Sequence, residues 1–107
     1  MSIILLYGGD VLFVIIAYDV NTTDKAGKTR LRRVAKECVN YGQRVQNSVF
    51  EVNIDYGKFV LLKERLTKLI DKGTDSLRFY YLGDKWEKKI EHIGSNPGYN
   101  SEGVLII

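Results

Sequence analysis

Val11-Leu12-Phe13-Val14-Ile15-Ile16-Ala17-Tyr18-Asp19 is the stretch that decides how the chain folds. Its apolar residues run without polar alternation and end on one carboxylate. That pattern predicts a central β-strand covered on both faces, because a half-exposed strand alternates apolar with polar residues. Asp19-Val20-Asn21 follows at once, which leaves no room for a helix of ordinary length.

Downstream, Thr22 to Lys28 is polar and reads as a loop. A helix is predicted from about Lys28 to Tyr41, with Leu31, Val34, Ala35 and Cys38 on one apolar stripe and Gly42 as a left-handed cap. Arg44 to Ile54 reads as extended. Phe50, Val52 and Ile54 share one face, while Val45 has the parity of the opposite set. A one-residue slip would turn a strand's core face to solvent, so a bulge or reversal is expected near Gln46-Asn47-Ser48. A second helix is expected over Lys58–Lys72, with Asp55 as its N-cap, Phe59, Leu62, Leu66, Leu69 and Ile70 inward, and Gly73 ending it. Leu77, Phe79 and Tyr81 alternate with Arg78 and Tyr80 as a strand. Trp86, Lys88, Ile90 and His92 suggest one more. Residues 94–103 read as a loop, and Val104–Ile107 as a closing edge strand, placed on a partner chain.

The order strand, helix, strand pair, helix, strand is the βαββαβ ferredoxin-like pattern of an α+β sandwich, here with an extra C-terminal strand. Many unrelated activities use that fold, so function has to come from the residues.

Upstream, Ile3–Tyr7 and Val11–Tyr18 are apolar runs split by Gly8-Gly9-Asp10. Neither reaches the roughly 20 residues that span a bilayer. No basic region precedes them and no small-residue cleavage site follows, so neither a membrane anchor nor a signal peptide is expected. With 107 residues, the chain is one domain. Its single cysteine, Cys38, allows no internal disulfide and suits a reducing, cytoplasmic compartment; on a helix stripe it reads as a core thiol. One His and one Cys cannot build a structural zinc site.

The net charge of +3 is unevenly spread. Thr22–Gln46 holds seven basic and two acidic residues, whereas the rest of the chain is net acidic. A local basic patch suits a polyanion. Lys28, Arg32 and Lys36 are spaced i, i+4, and Arg30 and Arg33 are spaced i, i+3, on one ridge. Cations at a helix N-terminus oppose the macrodipole, at up to about 1 kcal/mol each. Phosphate contact would justify that cost, since Arg grips phosphate bidentately; a solvated helix face is the plain alternative. No Gly-rich phosphate loop is present, and no strand shows the exposed aromatic pattern that stacks RNA bases.

Asp19 is the other informative residue. A carboxylate ending a buried strand can cap the Val20–Thr23 turn, or it can ligate a hard cation such as Mg²⁺ or Mn²⁺. One carboxylate is too few for a metal site that activates water. A two-fold dimer would bring a second Asp19 to the same place. Tyr18 precedes it, and Ser48 and Phe50 lie at the strand reversal, Phe50 with core parity. These three are read as supporting residues.

Several stretches together resemble one family. Tyr18-Asp19-Val20, the helix Thr29-Arg30-Leu31-Arg32-Arg33-Val34-Ala35-Lys36, and Gly42-Gln43-Arg44-Val45-Gln46-Asn47-Ser48-Val49-Phe50-Glu51 look like the CRISPR-associated protein two family. Asp75-Ser76-Leu77-Arg78-Phe79-Tyr80 and Glu91-His92-Ile93-Gly94 extend the likeness, which is strongest toward members found with type I-C systems. It runs from about Val11 to the end. Residues 1–10 look like an addition ahead of a single domain over residues 11–107. The resemblance implies a ferredoxin-like homodimer whose last strand crosses to its partner. It also implies a complex with the CRISPR integrase during spacer acquisition, and metal-dependent endonuclease activity on double-stranded DNA or single-stranded RNA. Asp19 would then be the catalytic metal ligand, and Lys28, Arg30, Arg32 and Arg33 the nucleic-acid contacts. A non-catalytic scaffold for the integrase, a toxin-type ribonuclease resembling VapD, and a small-molecule-sensing domain are the alternatives.

Overall fold

The computed structural model describes residues 11–82 and 89–95. Their elements are β1 (Val11–Asp19), α1 (Lys25–Val39), β2 (Gly42–Gln46), β3 (Val49–Asp55), α2 (Tyr56–Leu69), β4 (Ser76–Leu82) and β5 (Lys89–Gly94). The sheet is antiparallel in the order β2-β3-β1-β4-β5, so β1 lies at its centre. This is the ferredoxin-like α+β arrangement, widened by β5 beside β4. The predicted addition over residues 1–10, Trp86, Lys88, the loop over 96–103 and the closing Val104–Ile107 segment lie outside the described residues.

Both helices pack on one face of the sheet. Val34, Ala35 and Cys38 of α1 and Phe59, Leu62 and Leu66 of α2 share a single core with Val14, Ile16 and Tyr18 of β1, with Phe50, Val52 and Ile54 of β3, and with Leu77 and Phe79 of β4. Phe59 meets the Phe79 and Tyr81 rings edge-on, at centroid distances of 5.7 and 5.8 Å. That geometry sets the positive ring edge against a negative face.

The helices cover only that face, so β1 is not enclosed on both sides as its sequence suggests. Val14, Ile16 and Tyr18 are at most 2% exposed, but Val11 and Phe13, of opposite parity, are 52% and 54% exposed. The two crossovers, β1-α1-β2 and β3-α2-β4, put their helices on the same side, so among the described residues no helix covers the second apolar row of β1.

The reversal at Gln46–Ser48 is present. Pairing of β2 with β3 slips between Arg44 and Gln46, which accommodates the parity of Val45. Three boundaries differ from the sequence reading. Helix α1 begins at Lys25 because Asp24 is its N-cap, accepting from Gly27 N at 2.8 Å. Gly42 is not a left-handed cap: it opens β2, and a Cβ there would sit 1.9 Å from the Glu51 carbonyl oxygen. Close approach of β2 to β3, not a positive φ, is what requires the glycine. Helix α2 begins at Tyr56 and stops at Leu69, because Ile70 turns extended and the Asp71 N–H donates to the Asp75 carboxylate at 3.0 Å. Its N-cap is Asp55, as expected, which accepts from Lys58 N at 2.9 Å.

Candidate metal and nucleic-acid site

At the end of β1 the chain's period of two sends neighbouring side chains to opposite faces. Tyr18 points into the helix-covered core, and Asp19 emerges exposed on the open face. Asp19 pairs in register with Ser76, and Ala17 with Arg78. Tyr18 N donates to Ser48 O at 2.9 Å, which ties the β2–β3 turn to the same spot. Ala17, Asp19, Ser48, Ser76, Arg78 and Tyr80 thus border a shallow depression of about 260 Å³. One carboxylate, two serine hydroxyls, the Tyr80 phenol and a guanidinium suit a hard cation and a phosphate chemically, since such cations take oxygen ligands and keep water and phosphate in their shells. Among the described residues, no three His, Cys, Asp or Glu side chains gather.

The supporting residues divide. Ser48 borders the depression with Asp19. Phe50 is fully buried on the helix-covered face, with the Arg44 guanidinium 5.7 Å from its ring centre. It holds the turn through packing and does not face Asp19. Tyr18 is buried, and its hydroxyl donates to Asp75. Burial, together with that carboxylate, pushes the Tyr18 phenol well above its ordinary range, so it stays a neutral donor.

Asp75 is the residue that the sequence reading passed over. It is fully buried, just before β4. Besides Tyr18, it accepts from Arg30 Nε at 2.8 Å, from the Arg30 terminal nitrogen at 3.2 Å, from Asp71 N at 3.0 Å and from Thr74 Oγ1 at 3.2 Å. Burial alone would raise its pKa. The hydrogen bonds from Arg30, Tyr18 and Asp71 outweigh burial and hold the carboxyl below its ordinary value. The one sequence cue was a carboxylate standing directly before an apolar strand.

Arg30 is therefore not an outward cation of the ridge. Its side chain is 22% exposed and forked onto Asp75. Lys28, Arg32, Arg33 and Lys36 remain exposed on α1 and form the basic surface. With α1 starting at Lys25, only Lys25 and Lys28 stand in its first turn, and Lys36 in the last turn complements the dipole. The macrodipole cost read from the sequence thus shrinks to two residues. In one chain the ridge and Asp19 lie on opposite sides of the sheet, joined through Tyr18, Asp75 and Arg30.

Two other groups are structural. Burial, and then the neighbouring Glu37, push the Cys38 thiol up to about 12, as befits a core thiol. His92 Nε2 lies 3.1 Å from Gly94 O and 3.0 Å from Ser95 O. With two carbonyls as neighbours, that nitrogen carries the hydrogen and donates. No described helix is long and apolar enough to cross a membrane.

Residues 12–90 match the family model for CRISPR associated protein Cas2. A relative from Nitratidesulfovibrio vulgaris, named CRISPR-associated endoribonuclease Cas2, is 52% identical over 95% of this chain and 100% of its own. A protein of Halalkalibacterium halodurans, named CRISPR-associated endonuclease Cas2, is 53% identical over 89% of this chain and 99% of its own. The crystal structure of Streptococcus pyogenes Cas2 at pH 6.5 superposes with a TM-score of 0.66 at 59% identity, covering 69% of this chain and 89% of that one. With the ferredoxin-like sheet and the strand-end Asp19 in place, these matches establish that the chain belongs to the Cas2 family.

Proposed function

We propose that the chain works in CRISPR adaptation as a homodimer, binds nucleic acid with an integrase partner in the cytoplasm, and hydrolyses phosphodiester bonds with Mg²⁺ or Mn²⁺. The observation that carries this reading is Asp19: an exposed carboxylate ending the central strand, beside Ser48, Ser76 and Arg78, on an open face that also presents the apolar Val11, Phe13 and Leu82. A face with that much exposed apolar surface is suited to a second copy. A two-fold contact there sets the Asp19 of one protomer toward its counterpart, supplying a second carboxylate. The names of the relatives, endoribonuclease and endonuclease, support the reaction class.

In this reading Asp19 holds the cation, and Arg78 bears on a phosphate oxygen bidentately. Lys28, Arg32, Arg33 and Lys36 follow the backbone of double-stranded DNA or single-stranded RNA without reading sequence. Bound Mg²⁺ or Mn²⁺ would offset charge on the scissile phosphate and acidify a bound water. A second reading, a non-catalytic scaffold for the integrase, is favoured by Asp19 being the one carboxylate among the described residues that line the depression.

Asp19→Asn separates the two. Loss of Mg²⁺-dependent cleavage with duplex affinity retained supports the enzyme; cleavage equal to wild type overturns it. Replacing Arg32 and Arg33 by Ala should lower the slope of log K against log salt by about 1.8 on duplex DNA, at 0.9 per phosphate contact. An unchanged slope would remove the ridge from the binding surface.

A further inference from the structure

Asp75 lies one residue from a register partner of Asp19. In the antiparallel β1–β4 pair Asp19 faces Ser76; Tyr18 is the next residue inward on β1, opposite Leu77, and Asp75 is the residue just before β4. The two pairs occupy opposite faces: Asp19 emerges on the open face, while Tyr18 and Asp75 are buried beneath it. Asp75 binds at once to four parts of the fold. Its carboxylate takes the Tyr18 hydroxyl of β1, the Arg30 guanidinium of α1 and the Asp71 N–H after α2. Its own carbonyl accepts Ser95 N at 2.7 Å, just past β5. Gly94, at φ 107°, makes that last contact possible, since a Cβ there would lie 2.3 Å from the Asp75 carbonyl oxygen.

Stability alone is a weak reason for such a group. Taking a carboxylate and a guanidinium out of water is costly, and apolar residues of similar volume commonly stabilise a core at least as well. What the ionic cluster adds is direction. A forked guanidinium accepts a carboxylate in one plane, and a phenol hydroxyl meets its acceptor along one line. The Tyr18 ring is thereby fixed at its far end as well as by packing, and with it the backbone from which Asp19 projects.

We infer that Asp75 is a positioning residue for Asp19: through the Tyr18 hydroxyl it fixes the end of β1, and so the carboxylate that Asp19 offers to a divalent cation. This rests on the proposed role of Asp19 as metal ligand. Partners that orient a ligand are typically worth at least about tenfold in metal affinity.

The test uses the full chain and Mn²⁺ alone as probe, with binding followed by electron paramagnetic resonance. Tyr18→Phe keeps the ring and removes only the hydroxyl, so it isolates the link from the packing. It is expected to weaken Mn²⁺ binding about tenfold and to lower kcat, with KM for duplex unchanged. Asp75→Asn should act in the same direction. If Asp19→Asn loses Mn²⁺ while Tyr18→Phe binds it like wild type, Asp75 has no positioning role, whatever happens to the melting temperature. If Asp19→Asn itself binds Mn²⁺ like wild type, the ligand assignment fails first and takes this inference with it.

Discussion

The two faces of the sheet are built from the same strands and fare differently. On the covered face Ile16, Phe50, Leu77 and Phe79 are fully buried beneath two helices. On the open face Phe13, one residue along β1 from the buried Val14, is 54% exposed, and Leu82, its register partner on β4, is 42% exposed. Both faces are apolar in sequence, but among the described residues only one is closed. One face therefore maintains the fold, and the other is available for partners and chemistry: Asp19 stands on it, whereas the cluster around Asp75 lies on the covered side.

The contrast can be broken most severely at Phe79. Phe79→Ala removes a fully buried ring that packs edge-on against Phe59, and it should cost about 3–5 kcal/mol in urea unfolding. A loss below about 1 kcal/mol would mean the covered face is not the core.

A substitution on the open face should read out in assembly instead. If the proposed homodimer forms through this face, Phe13→Ser is expected to change protomer stability by about 1 kcal/mol or less, while shifting mass in light scattering toward the monomer. A dimer unaffected by this change would place the interface elsewhere.

Acid provides a gentler probe of the covered side. The folded pKa of Asp75 lies below its unfolded value of 3.8, so its contribution to stability is complete above 3.8 and is lost as pH falls through the folded value. Unfolding monitored below pH 4 should show that loss in wild type and less of it in Asp75→Asn. The smallest effect is expected at Cys38. With its thiol raised to about 12 and fully buried, alkylation at pH 7.5 should wait on unfolding. Rapid labelling of the native protein would contradict the packing of α1 against the sheet.

Local patterning made much of this legible. The apolar run of β1, the helix stripes, the Asp55 cap and the parity break at Val45 are all written within a few residues of one another. So was the place of Asp19 at the end of that strand, because it is the first charge after the apolar run. What could not be read depends on distance along the chain. Arg30 looks like its neighbours Arg32 and Arg33, and only a partner 45 residues away withdraws it from the surface. Tyr18 needs an acceptor 57 residues on. Gly42 has the residue type of a cap, but the Glu51 carbonyl of β3 sets its role. The open face was misjudged because an uninterrupted apolar strand looks the same whether a helix or a second molecule covers it.

The central place of β1 also bears on how the molecule is made. Its neighbours, β3 and β4, are both encoded after it, and β4 ends only at Leu82. At the usual pace of synthesis, about 5–20 residues per second, Val11–Tyr18 leaves the ribosome roughly 3–13 s before its second partner strand is complete. For the first part of that interval, until β3 ends at Asp55, this uninterrupted apolar segment has neither neighbouring strand to pair with, so the yield in cells should depend on chaperones and on translation speed between β1 and β4.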